Sequence, residues 1–222
     1  MGWIRRYDMS DAAERPVGLE QAADAVRRGE LVVLPTDTVY GLGTDAFSPD
    51  AVASLLAAKG RGRDLPVPVL VGSPRTLDGI ATGLSGTARA LVEAFWPGGL
   101  TIVATVAPSL QWDLGDTGGT VAVRMPLHPV AIDLLQKTGP MAVSSANISG
   151  QPPATTLDEA VDQLGEGVSV YLDGGPSGDP VPSSIVDVSG DVPRLLRAGA
   201  LAEEALRQVA GDLTAEPYSD PV

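Results

Sequence analysis

Glu30-Leu31-Val32-Val33-Leu34-Pro35-Thr36-Asp37-Thr38-Val39-Tyr40-Gly41-Leu42-Gly43 decides the fold class. The opening part is a short apolar run that stops where proline removes a backbone donor, as a buried strand does. Hydroxyls, a carboxylate, a phenol and glycines then crowd behind the strand end, where α/β proteins tend to seat ligands. Thr and Asp beside Gly are also ordinary turn formers, so on its own the segment reads equally well as a polar turn. Upstream, residues 19–28 have helical apolar spacing, and Gly29 stands at the C-cap position. Downstream, residues 50–59 predict a helix opened by Ser48-Pro49 and closed before Gly60.

The alternation continues outward from there. Residues 67–71 predict a strand, which Pro66 and Pro68 place at a sheet edge or strand end. Residues 87–95 predict a helix stopped by Trp96-Pro97-Gly98-Gly99, followed by strands at 100–106 and 120–124. A helix is expected at 129–137, a buried strand at 141–144 and another helix at 157–164. Strands follow near 168–172, 184–188 and 194–197, then a helix at 201–209; a short edge strand is expected at 3–7. Gly/Pro-rich turns and hairpins interrupt the series, which favours α/β with a twisted, mixed parallel and antiparallel sheet and flanking helices. Residues 1–210 read as a single domain and 211–222 as a flexible tail.

Composition narrows the chemistry. The chain has no cysteine and a single histidine, His128. Thiolate nucleophiles, cysteine zinc sites and multi-histidine metal sites are therefore excluded, and no metal-ligating residue is assigned. A formal net charge of −13 argues against broad, non-specific nucleic-acid binding, which runs on phosphate neutralisation. No apolar stretch approaches the roughly 20 residues of a spanning helix. The arginines of the N-terminus have no apolar run behind them, and Arg6 stands where a myristoylation signal needs Ser or Thr. A cytoplasmic location is the expectation.

Several segments carry groups suited to anions. Lys59-Gly60-Arg61-Gly62-Arg63 sets cations on a glycine-loosened segment at a helix C-terminus. Complementing the helix dipole explains Lys59 well and Arg61 less well, whereas a phosphate would use both. No GxxxxGK[ST] pattern occurs, and Gly41-x-Gly43-x-x-Ala46 sits too far from its strand for a dinucleotide fingerprint. Thr120-Val121-Ala122-Val123-Arg124 ends a strand with an arginine that is either surface or a carboxylate holder. His128 reads as a cap or packing residue of the next helix. Ser144-Ser145-Ala146-Asn147 offers hydroxyls and an amide that suit a cap, a turn or a nucleotide. Ser183-Ser184 and Arg197 add polar groups at further strand ends.

Taken in order, PTDTVYGLG, KGR, WPGGLT, VAVRMP, SSANISG, SSIVD and LLRAGA resemble the YrdC-like family across residues 19–199. The pairing of a KxR element (Lys59, Arg61) with an SxN element (Ser145, Asn147) is the most specific part of that resemblance. It implies a sheet curved around a deep, locally positive cavity and synthesis of threonylcarbamoyl-adenylate from L-threonine, bicarbonate and ATP, for modification of tRNA beside the anticodon. It also implies the site. Lys59 and Arg61 would be catalytic. Threonine would meet Thr38, Tyr40, Arg124 and Ser183. The nucleotide would meet Lys59, Arg61, Thr120, Ser145, Asn147 and Arg197, with Mg²⁺ travelling on ATP. Downstream threonylcarbamoyl transferase proteins acting on tRNA would receive the product.

Departures from the family pattern stand beside it. After the KxR element, residues 64–70 lack the Asn-Pro-Leu pattern and the histidine of many relatives, and Pro153 replaces a serine. The extra C-terminal domain of longer relatives is expected to be missing. A sister-branch protein that binds or hydrolyses nucleotide, and an RNA-binding module of the same fold, remain the competing readings; the charge balance counts against the second.

Overall fold

The computed structural model describes residues 4–178 and 181–215. Along the chain run β1 (Arg6–Asp8), α1 (Glu14–Arg27), β2 (Val32–Leu34), β3 (Gly41–Asp45), α2 (Pro49–Lys59), β4 (Val69–Leu70), α3 (Leu77–Ile80) and β5 (Ala81–Thr82). Next come α4 (Gly86–Phe95), β6 (Leu100–Val106), β7 (Thr120–Arg124), α5 (Pro129–Thr138), β8 (Met141–Ser145) and α6 (Leu157–Leu164). The last elements are β9 (Val170–Asp173), β10 (Ser184–Asp187), β11 (Arg194–Arg197), α7 (Glu203–Ala210) and β12 (Thr214–Ala215). The strands join one mixed sheet in the order β1-β9-β2-β3-β8-β4-β7-β6-β10-β11-β12, with β5 on β6. The expected fold class is what forms. Among the described residues no helix is long and apolar enough to cross a membrane.

Period-2 alternation splits the core between the two faces of the sheet. Val32, Leu34, Leu70, Met141, Val143, Val170 and Leu172 meet α1 and α5 through Leu19, Val26, Val130 and Leu134. Their neighbours Val33, Val69, Ala142 and Tyr171 belong to the larger core on the opposite face, with Leu55 of α2 and Leu91 of α4. Helix boundaries follow local chemistry. Ser48 Oγ accepts from Ala51 N, Pro49 opens α2, and Gly60 closes it at φ 61°. α6 carries a complete capping box between Thr156 and Glu159.

The structure corrects the sequence reading in five places. Gly41-Leu42-Gly43 lies inside β3, where it reads in sequence as a turn: added Cβ atoms would lie 2.8 Å from Val143 at Gly41 and 2.9 Å from Met141 at Gly43. Close approach by β8 side chains, not a turn, selects those glycines. Next, β4 is interior, between β8 and β7, because Val69 and Leu70 pair on both sides and Pro68 needs only its carbonyl there, which accepts from Val143 N at 2.9 Å. α1 starts at Glu14, not residue 19, because Asp11 Oδ1 accepts from Ala13 N and Glu14 N. The N-terminal strand is Arg6–Asp8; Trp3 lies outside the described residues. Finally, the sheet extends into the segment read as a tail, with Thr214 and Ala215 pairing in parallel with Arg194 and Leu195. Residues 216–222 lie outside the described residues.

Coverage of the sheet is uneven. On β6 and β7 the register sets Thr101, Val103 and Thr105 opposite Arg124, Ala122 and Thr120, all on the face that α1 and α5 cover elsewhere. Val103, Ala122 and Thr120 are only half-buried and Thr105 is exposed, so here the face forms an open trough floored by small and polar side chains.

Candidate functional site

β2 and β3 form an antiparallel hairpin in which Leu34 faces Gly41, so residues 35–40 are its loop. β8 lies on the other side of β3, with Gly41 facing Ser145. The polar loop and the Ser145–Asn147 segment therefore leave adjacent strands side by side. Backbone bonds tie them: Ala146 N donates to Tyr40 O at 2.8 Å and Tyr40 N to Ala154 O at 3.0 Å. Inside the loop, Thr36 Oγ1 donates to Val39 O at 2.6 Å and accepts from Thr38 N at 3.2 Å.

Tyr40 is fully buried. Its hydroxyl donates to Gly175 O at 2.6 Å and accepts from Gly174 N at 3.1 Å, so it fastens the loop after β9. Burial pushes the phenol well above its ordinary range. The hydroxyl is thus engaged by the protein's own backbone, which leaves the ring of Tyr40 for any contact with a ligand.

Arg124 ends β7 and is buried, and each of its three nitrogens has a partner. Nε donates to Gly98 O at 2.9 Å, one terminal nitrogen to Thr38 Oγ1 at 2.9 Å, and the other to Asp37 Oδ1 at 2.6 Å. Asp37 Oδ1 also accepts from Leu127 N at 2.9 Å. Burial pulls the guanidinium down, and the Asp37 carboxylate opposes that pull. Sequence reasoning missed Asp37 as Arg124's partner. Its only signal was a carboxylate between two hydroxyls at a strand end.

The KxR and SxN elements meet. α2 delivers Lys59, 2% exposed, to the base of the β8 loop. There Nζ donates to Ser145 O and Asn147 O, both at 2.7 Å, and to Asn147 Oδ1 at 3.3 Å. Burial, and then the charge of Arg61, lower its pKa to about 8. Asn147 is held as firmly, its amide donating to Ile148 O at 3.0 Å and Gln151 O at 2.7 Å. Arg61 lies near Ser144, with NH1 to Oγ at 3.4 Å. The polar atoms of Lys59 and Asn147 thus bind each other and the backbone.

The trough supplies the remaining groups. Ser184 pairs with Leu100 and Ile185 with both Thr101 and Arg197, which brings Ser183 to the trough wall. Ser183 Oγ lies 2.7 Å from Thr101 Oγ1 and accepts from Arg197 at 3.2 Å, while Arg197 Nε donates to Ser183 O at 3.0 Å. Thr120 sits at the far end of β7, with Oγ1 donating to Thr117 O at 2.8 Å. The loop before it docks on the KxR segment: Asp113 pairs with Arg63 at 2.6 Å, Asp116 N donates to Arg63 O, and Trp112 meets Phe47 edge-on at 5.1 Å. A cavity of about 170 Å³ is lined by Pro35, Thr36, Asp37 and Tyr40 of the β2–β3 loop together with His128 and residues 174–178. His128 stands at the N-cap of α5 but makes no side-chain cap bond.

A mixed sheet left uncovered over β6 and β7, with a KxR element locked to an SxN element, defines an α/β class built around these two motifs. The Sua5/YciO/YrdC family, described as telomere recombination, matches residues 24–199, and the chain belongs to that family. A Mycobacterium tuberculosis protein named "Putative threonylcarbamoyl-AMP synthase" is 56% identical over 205 residues, covering 92% of this chain and 94% of its own length. The Bacillus subtilis threonylcarbamoyl-AMP synthase is 37% identical over 197 residues, covering 88% of this chain and 57% of its own. The crystal structure of Pyrococcus abyssi Sua5 complexed with L-threonine superimposes with a TM-score of 0.90 at 33% identity, over 100% of this chain and 65% of that one.

Proposed function

We propose that this chain is a threonylcarbamoyl-AMP synthase, making threonylcarbamoyl-adenylate and pyrophosphate from L-threonine, bicarbonate and ATP. The observation that carries the reading is the junction of the two motifs, Lys59 with Ser145 and Asn147 and Arg61 with Ser144. Relatives that bear the synthase name, one of them solved with L-threonine, support it.

The residues suit the reaction. The amino group of threonine captures carbon dioxide from bicarbonate as a carbamate. A carbamate oxygen then attacks the α-phosphorus, and the bond to the β-phosphate breaks to release pyrophosphate. No protein nucleophile is needed, so positioning and charge stabilisation are what the fold must supply. Arg61, Ser145, Thr120 and Arg197 are assigned to the nucleotide; Thr38, Arg124 and Ser183 are assigned to threonine. A guanidinium carries five N–H donors, and Gly98, Thr38 and Asp37 engage three of those of Arg124. The remaining pair can receive a carboxylate. Mg²⁺ would travel on the nucleotide phosphates, where it would neutralise charge. Transfer to tRNA falls to separate proteins in the cytoplasm.

Pyrophosphate release from ATP, with L-threonine and bicarbonate each added or withheld, tests the reading. Release that requires both, with the adenylate seen by mass spectrometry, is the expected result. Release indifferent to threonine would move the chain to a nucleotide-hydrolysing branch of the family. Arg61→Ala should lower turnover by about 10²-fold or more, the cost of losing one preorganised charge contact.

A further inference from the structure

We propose that Lys59 is a positioning residue that shapes the Ser145–Asn147 loop and does not itself hold phosphate. The nucleotide's charge is then met by Arg61, two residues on, and by Arg197 across the trough.

A lysine ammonium has three N–H donors and no acceptor. Here three oxygens meet it: Ser145 O, Asn147 O and Asn147 Oδ1. With the side chain 2% exposed, no N–H is left over for a ligand. The same residue acts a second time through its backbone, since Lys59 O accepts from Ser149 N at 2.9 Å. Residue 59 thus grips positions 145, 147 and 149, at both the inner and outer turns of the loop. Gly60, left-handed at φ 61°, ends the helix at that point and turns the chain toward Arg61. Asn147 completes the unit, because its amide ties the loop onward to Ile148 O and Gln151 O. Moving Lys59 onto a phosphate would strand three carbonyl oxygens, two of them buried with Asn147.

The staple itself stands on geometry alone; its consequence for catalysis rests on the synthase reading. The test therefore pairs a structural readout with a kinetic one, using the full chain. Hydrogen exchange without nucleotide should show the amides of residues 145–149 exchanging at least about tenfold faster in Lys59→Met than in wild type. Arg61→Met should leave them unchanged. Lys59→Arg keeps the charge, but a planar fork does not match three converging oxygens. It should therefore lose turnover nearly as Lys59→Met does. Combining Lys59→Met with Asn147→Ala should cost no more turnover than the worse single change, because both act through one loop. Unchanged exchange in Lys59→Met, or full rescue of turnover by Arg, would overturn the proposal and return Lys59 to the phosphate. If Lys59→Met does not fold, Asn147→Ala carries the exchange test, since it removes one of the three acceptors. Accelerated exchange at 145–149 then supports the staple, and no change overturns it. A chain that shows the exchange effect but no threonine-dependent pyrophosphate release would sink the synthase reading and leave the staple standing.

Discussion

Asp37 and Arg124 form a buried ion pair whose members are also hydrogen-bonded to Thr38, Gly98 and Leu127. Removing one partner strands the other charge, so Asp37→Ala should destabilise the fold by about 3–5 kcal/mol, read from urea denaturation. Lys59 gives a pH signature of its own. Its folded pKa, about 8, lies below the ordinary 10.5. Below about pH 8 both states hold the proton, and the native state bears the full cost of burying it. Between about 8 and 10.5 the unfolded chain binds more protons, so stability rises with pH. Against Lys59→Met, wild type should gain up to about 1.4 kcal/mol per pH unit in that window, measured by urea midpoints across it. A falling difference would show that the fold holds this proton more tightly than water does. Above pH 8 the amine has one N–H fewer for its three oxygens, so turnover should decline while stability grows.

At the scale of elements, the helices were the most legible part of the sequence. α2 was bounded by Ser48-Pro49 and Gly60, and α6 by residues 157–164, because caps and breakers are local. Ser48→Ala should cost about 1 kcal/mol, seen as a lower denaturation midpoint. What escaped was set by partners distant in the chain. β3 hid behind its glycines, whose reason is the side chains of Val143 and Met141 about a hundred residues away. Gly41→Val should cost about 1–3 kcal/mol by overpacking that contact. The same limit applied to the site. Types and order of residues pointed to Lys59, Arg61, Ser145 and Asn147, but donor and acceptor partners decide roles. Only the fold shows that Lys59, Asn147 and Tyr40 each bind backbone groups and that Lys59 also binds the Asn147 side chain.

Over the whole molecule, the sheet divides labour between its faces. One core is closed by α1 and α5, and the opposite core is larger and packed by α2 and α4. Leu134 is fully buried under α5, on the face whose β6–β7 half forms the trough. Leu134→Ala should cost about 2–5 kcal/mol, with little change in ATP affinity at temperatures where the variant stays folded; calorimetry would check both. The docking of the 107–119 loop on the KxR segment has an optical consequence. Trp112 of that loop sits edge-on to Phe47, with its indole nitrogen buried and without a hydrogen-bond partner among the described residues. Its neighbour Asp113 clasps Arg63, two residues from Arg61. An indole so placed makes the chain its own fluorophore: filling the site with nucleotide should change the emission of Trp112, and Trp112→Phe should silence that signal while leaving Trp3 and Trp96 as the background.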